Sequence, residues 1–139
     1  MAAALAYDYA RTRAELVFQT QPGTYNEESL ISFLTELHDY LAGAKVTLIW
    51  DGLPSHRSKK MRAFILASRR WLVVERLPAY APELNPVEGL WASLKGSELA
   101  NLEADTIEQT ACVTQSGVSR IRADTNLCFG FLGQTGLSL

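Results

Sequence analysis

Apolar residues recur along this chain with two different periods, and each change of period marks the edge of an element. Residues 2–8 (AAALAYD) and 15–20 (ELVFQT) are short apolar or β-prone runs around the polar segment YARTRA, which predicts a β-hairpin over residues 2–20. The break QPGTYN follows, with Asn26 at an N-cap position and Glu27 and Glu28 where the positive end of a helix favours acids. Leu30, Phe33, Leu34, Leu37 and Leu41 then keep helical spacing as far as Gly43, a suitable terminator. KVTLIWD, residues 45–51, is apolar on both faces and rich in β-formers, the pattern of a strand covered on both sides. RSKKMRAFILASRR reads as a second helix with Met61, Phe64 and Ile65 on one side, and WLVVERL at 71–77 reads as a further strand.

Past a proline-rich loop, Val87, Leu90, Trp91 and Leu94 are again helically spaced from Pro86. DTIEQTACV opens another helix, with Asp105 and Glu108 placed as a capping box, and the stretch to Leu139 is a weaker helical pattern interrupted by Gly130 and Gly133. A single domain, 1–139, is expected, made of a hairpin at 2–20, an α/β core at 26–99 and C-terminal helices at 105–136. A hairpin, then alternating helix and strand, then helices, predicts an α/β layer with a mixed sheet.

Composition narrows the class without naming a function. A hydrophobic content of 47% over 139 residues and a mean hydropathy of -0.01 describe a globular core. A formal charge of -2 gives no global sign of a nucleic-acid binder, so any such claim has to be made locally. Cys112 and Cys128 lie far apart, with no second pair and no histidines near them, which suggests neither a zinc site nor a disulfide framework. The opening MAAALAYDYA has no basic n-region, and no window approaches the roughly 18 apolar residues of a membrane span. The chain reads as cytoplasmic, with no targeting segment and no membrane partner.

Two carboxylates carry the candidate chemistry. Asp51 closes the most buried-looking strand, and α/β sheets gather ligands at the carboxyl ends of strands. An Asp followed by Gly, Leu, Pro and Ser is equally a turn former. Glu88 has two readings as well. With Asn85 as N-cap and Pro86 at the first helical position, it completes a capping-box-like start that needs no chemistry. Held together with Asp51 by a loop stiffened with prolines, it suits a hard, oxygen-preferring ion such as Mg²⁺, and hence phosphoryl chemistry.

WDGLPSH at 50–56 and LPAYAPELNPVEGLWASLK at 77–95 together resemble the second and third acidic motifs of DDE transposases, in the bacterial insertion-sequence branch of the mariner-like superfamily. The helix at 26–42 and the terminal FLGQTGLSL are similar to the corresponding parts of such proteins. The resemblance implies a ribonuclease H-like mixed sheet flanked by helices and two Mg²⁺ (or Mn²⁺) ions in the complete site. It also implies cleavage and strand transfer of DNA, at transposon ends and target. Residue by residue, it assigns Asp51 as the second catalytic and metal-binding acid and Glu88 as the third. The family's first acid ends an opening, central strand that lies upstream of the hairpin, so the fold is expected to lack that strand and the chain alone to be inactive. Asp8 ends a strand but sits where the hairpin's first strand ends, and Gly52 stands where relatives often carry Asn.

The expected DNA contacts are His56, Arg57, Lys59, Lys60 and Lys95. Arg57, Lys59, Lys60, Arg62, Arg69 and Arg70 form a stretch without an acid just after Asp51, suited to phosphates or simply to a solvated helix face. His56, five residues after Asp51, reads as a proton carrier, a phosphate contact or a structural residue. Lys95 stands two turns beyond Glu88 on the same helix face. Tyr80, Asn85 and Pro86 are assigned to shaping the loop, and Trp91 to the core. Partners left open are a homo-oligomer and an upstream-frame part of the same transposase. The alternative from another class is a non-catalytic DNA-binding or oligomerising remnant of a decayed insertion sequence.

Overall fold

In the computed structural model the described residues are 1–79, 81–98, 100 and 107–137. Its strands are β1 (Ala2–Tyr7), β2 (Ala14–Gln19), β3 (Val46–Trp50) and β4 (Leu72–Arg76). Its helices are α1 (Glu27–Tyr40), α2 (Lys59–Ala67), α3 (Pro86–Ser97), α4 (Ile107–Arg122) and α5 (Thr125–Gln134), with 3₁₀ turns at Pro54–Arg57 and Pro82–Leu84. The strands pair as two small sheets, β1 with β2 and β3 with β4. Two compact units result, one of Met1–Ala2 and Gln19–Pro82, the other of Ala3–Phe18 and Glu83–Leu139. The capping box expected of Asp105 and Glu108 lies outside the described residues.

In the first unit, α1 begins as its sequence requires. The Asn26 side chain accepts from the Glu28 and Ser29 amides, and the Ser29 hydroxyl accepts from the Asn26 amide, so the cap is reciprocal. The helix stops because Ala42 and Gly43 take left-handed φ angles of 54° and 75°, and the Gly43 amide closes back on the His38 carbonyl at 2.9 Å. Phe33, Leu34 and Leu37 form its buried stripe. α2 starts at Ser58, whose hydroxyl accepts from the Met61 amide, and buries Met61 completely. α2 touches both α1 and β4.

β3 and β4 are parallel, with Val46 opposite Leu72 and Trp50 opposite Arg76. One face of this ladder carries Val46, Leu48, Trp50, Leu72 and Val74, all buried or half-buried. The other carries Thr47, Ile49, Val73 and Glu75, with Ile49 45% and Val73 53% exposed. The expectation that KVTLIWD is covered on both faces is therefore corrected. Its apolar run reflects β-propensity on the open face as well as burial on the other.

The second unit packs the β1–β2 hairpin with α3, α4 and α5. Leu16, Leu90, Leu94, Val118, Ile121, Cys128 and Phe131 make its core, with Phe18 and Trp91 partly buried against it. Those two rings meet edge to face, centroids 6.2 Å apart. Two long-range polar bonds fasten the hairpin to the helices. The Arg122 Nε–H donates to the Leu16 carbonyl at 3.0 Å, and the Tyr7 hydroxyl donates to the Cys128 carbonyl at 2.8 Å. Burial pushes the Tyr7 hydroxyl well above its ordinary pKa. Cys112 is exposed and Cys128 buried, both as free thiols. Among the described residues no helix is long and apolar enough to cross a membrane.

Gly117 lets α4 approach α3. A Cβ there would lie 2.6 Å from Leu94 Cδ2 and 2.7 Å from Glu98 Cδ, so these side chains or the helices themselves would have to shift. Leu94 is buried, and Glu98 is held by the Arg120 guanidinium at 2.6 Å. Gly117→Ala is expected to lower the unfolding free energy by about 1–3 kcal/mol, seen as a lower urea midpoint. The Arg120 bond also holds the Glu98 carboxyl below its usual pKa. A depressed carboxylate stabilises the fold above its unfolded pKa of about 4.3, and this contribution disappears as pH falls through the lower folded value. Acid titrations of stability should show a smaller loss in that window for Glu98→Gln than for the wild type.

Candidate active site

Asp51 emerges from the carboxyl end of β3, where the ladder has just closed. The Leu77 amide donates to the Trp50 carbonyl at 2.9 Å, so the peptide leading into Asp51 is fixed by β4. Its carboxylate is 46% exposed. Oδ1 accepts from the Leu53 amide at 3.2 Å, an Asx turn across Gly52. His56 Nδ1 lies 2.9 Å from the same oxygen. Among the described residues Oδ2 has no hydrogen-bond partner. The turn-forming and ligand-binding readings of Asp51 thus engage different oxygens and do not compete. Gly52 has open space around the position of a Cβ and no positive φ, so the Asn common at that place would fit.

Glu88 belongs to the second unit, at the third position of α3. Asn85 caps this helix through its side chain, which accepts from the Val87 amide at 3.2 Å, and Pro86 occupies the first turn. The expectation that Glu88 completes a capping box is corrected. Its backbone amide bonds the Asn85 carbonyl, while its exposed carboxylate has no partner among the described residues. The side chain of Asn85 already satisfies the cap, so the acid is left for something else. Tyr80, assigned to shaping this loop, lies outside the described residues.

The carboxyl of Asp8 is consumed locally. The Thr12 hydroxyl and the Arg13 and Thr12 amides donate to it, and these bonds, the hydroxyl foremost, hold it below the usual carboxylate range. It closes the hairpin turn and offers little to an ion.

Arg57, Lys59, Lys60, Arg62, Arg69, Arg70 and Lys95 are all exposed. Lys60 bonds to Glu28 and lies 3.9 Å from Glu27, which raises its pKa and lowers that of Glu28. Its charge is partly answered within the protein. Ser58 and Trp50 are the local organisers that the sequence reading did not single out. Ser58 had a signal, a hydroxyl residue just before a helical run, whereas Trp50 read only as part of a strand. His56 is brought to Asp51, but as an intimate neighbour of the carboxylate rather than an outward-facing cation.

Among the described residues no three His, Cys, Asp or Glu side chains converge into a metal cage. The donors at hand are carboxylate oxygens without partners, the chemistry that Mg²⁺ and Mn²⁺ prefer, though fewer than a complete site uses.

The structure thus has an α/β fold with one acid at a strand's carboxyl end and another in the first turn of a helix. The chain belongs to the DDE superfamily endonuclease family, whose sequence profile matches residues 5–111. Its fold is similar to the Mos1 transposase catalytic domain solved with raltegravir and Mn, at TM-score 0.52 and 22% identity, covering 91% of this chain and 70% of that one. The Mg counterpart gives 0.50 and 21%, with 91% and 70% covered. The Mos1 mariner catalytic domain gives 0.50 and 21%, with 91% and 69% covered. The fold is therefore ribonuclease H-like, that of a transposase catalytic domain. A search of curated proteins gives no match.

The division of labour at α3 is testable. Asn85→Ala is expected to cost about 1 kcal/mol through the lost cap. Glu88→Gln should stay within about 0.5 kcal/mol of the wild type, as for a surface change that breaks no bond. Chemical denaturation of both variants checks this.

Proposed function

We propose that Asp51 and Glu88 are two of the three metal-binding acids of a DDE transposase that cuts and joins DNA at transposon ends. The observation that carries this reading is the pair of segments WDGLPSH and LPAYAPELNPVEGLWASLK, both inside the span matched by the family. Each carries an acid that the resemblance assigns to catalysis, with a carboxylate oxygen that has no partner among the described residues. The chemistry that divalent ions supply at such a site is activation of the attacking oxygen and stabilisation of the leaving one. Asp51 and Glu88 would hold those ions, and the exposed Arg57, Lys59 and Lys95 would bind DNA phosphates, with Lys60 joining them if it leaves Glu28. His56 acts beside Asp51 rather than on the phosphates.

These 139 residues contain no match to the family's first acid, and Asp8 is already committed to its turn. On this reading these residues alone, with two of the three acids, do not cut DNA. A segment carrying the opening strand and its Asp, such as one encoded in an upstream frame, would complete the site. The two-stranded β3–β4 sheet supports that reading, because among the described residues each of its strands keeps an outer edge at which a further strand could pair.

The rival reading is a DNA-binding remnant without catalysis, favoured by the basic residues exposed along and around α2. The two separate in one set of assays. The purified chain should leave a transposon-end duplex uncut in Mg²⁺, and addition of the missing segment should produce cuts that Asp51→Ala and Glu88→Gln abolish. Cutting by the chain alone that Asp51→Ala removes would overturn the inactivity. DNA binding that falls steeply with salt but survives EDTA and Asp51→Ala, with no cutting even after complementation, would establish the remnant.

A further inference from the structure

On the reading of Asp51 as a metal ligand, we propose that His56 is its positioning residue, fixing which carboxylate oxygen faces the ion. The His56 ring lies flat on Trp50, centroids 4.1 Å and planes 3° apart. Trp50 is itself buried at the end of β3, so the platform is as rigid as the ladder. The stack leaves the His56 side chain only 12% exposed, and the His56 amide is tied to the Leu53 carbonyl at 3.0 Å within the 3₁₀ turn. Neither ring plane nor backbone is free to drift.

Held in this way, Nδ1 lies 2.9 Å from Asp51 Oδ1 and 3.1 Å from the Asp51 carbonyl oxygen. Both neighbours are acceptors, so Nδ1 carries the proton in the neutral ring as well as in the cation. His56 therefore holds Asp51 by a hydrogen bond to its main chain and by close contact with its carboxylate. The Leu53 amide donates to Oδ1 and Nδ1 crowds that same oxygen, leaving Oδ2 as the oxygen presented outward. A neighbouring hydrogen bond that orients a metal-binding side chain acts on affinity without touching the metal. In space the order is Trp50, His56, Asp51, from platform to clamp to ligand.

The test uses the full chain and three variants, His56→Ala, His56→Asn and Asp51→Ala, each checked for a cooperative thermal transition. Asparagine keeps an N–H close to the place of Nδ1, so it separates clamping from proton transfer. Side-chain ¹⁵N NMR of the metal-free chain above neutral pH should show His56 as the Nδ1–H tautomer, with the preference weakened in Asp51→Ala. Mn²⁺ titration followed by electron paramagnetic resonance should show affinity lowered about 10–100-fold in His56→Ala and largely recovered in His56→Asn. An Nε2–H tautomer indifferent to Asp51→Ala overturns the proposal. So does a folded His56→Ala with wild-type affinity, or a His56→Asn as weak as alanine. Weakening by Asp51→Ala but not by His56→Ala defeats the positioning role alone. Mn²⁺ binding that Asp51→Ala leaves unchanged defeats the metal reading along with it.

Discussion

The parallel ladder between β3 and β4 is the constraint on which the first unit depends. Parallel strands need a long crossover, and here α2 and the 3₁₀ turn before it supply that connection. Pairing Val46 with Leu72 and Trp50 with Arg76 fixes the register, and a slip of one residue would send Trp50 to the open face and Ile49 to the helix side. The Trp50–His56 stack would go with it, and Asp51 would leave the strand in another direction. The position of one acid thus follows from five pairs of backbone neighbours. The same ladder exposes Ile49 and Val73 on its far face, so the arrangement that aims Asp51 also leaves apolar surface open to water.

Charge is distributed in a way that distinguishes structural acids from available ones. Asp8 is held by Thr12 and Arg13, Glu28 by Lys60, and Glu98 by Arg120. Their carboxyls are all shifted downward, as expected when hydrogen-bond donors favour the charged form. Asp51 uses one oxygen internally, and Glu88 uses neither among the described residues. Asp51 and Glu88, the two positions proposed to bind metal, thus each keep a carboxylate oxygen without a partner among the described residues.

The local signals were legible because they act over a few residues. Asn26 as a cap, Gly43 as a stop, the helical stripe of Phe33, Leu34 and Leu37, and Asn85 with Pro86 at the start of α3 all follow from neighbouring backbone groups needing partners. The packing of Trp91 against the core, partly buried, followed from helical spacing. What misled was any inference across a face. KVTLIWD reads as buried on both sides because Ile49 on the open face is as apolar as Val46 and Leu48, and Thr47 is the only polar residue of the strand Val46–Trp50. The weak C-terminal pattern, with its two interior glycines, nevertheless forms α5, since Cys128, Phe131 and Leu132 find a core to bury into.

The sequence by itself determined the elements and the caps of α1 and α3, since these depend on short-range bonding, and motif order singled out Asp51 and Glu88 as the candidate acids. Only the tertiary structure decided how each acid is held. Capping by Asn85 frees Glu88, and the ring of His56, stacked on Trp50, claims one oxygen of Asp51 while leaving the other. Those outcomes depend on distances between side chains set by strand pairing and ring stacking, and a one-dimensional pattern carries no record of which oxygen a neighbour will reach.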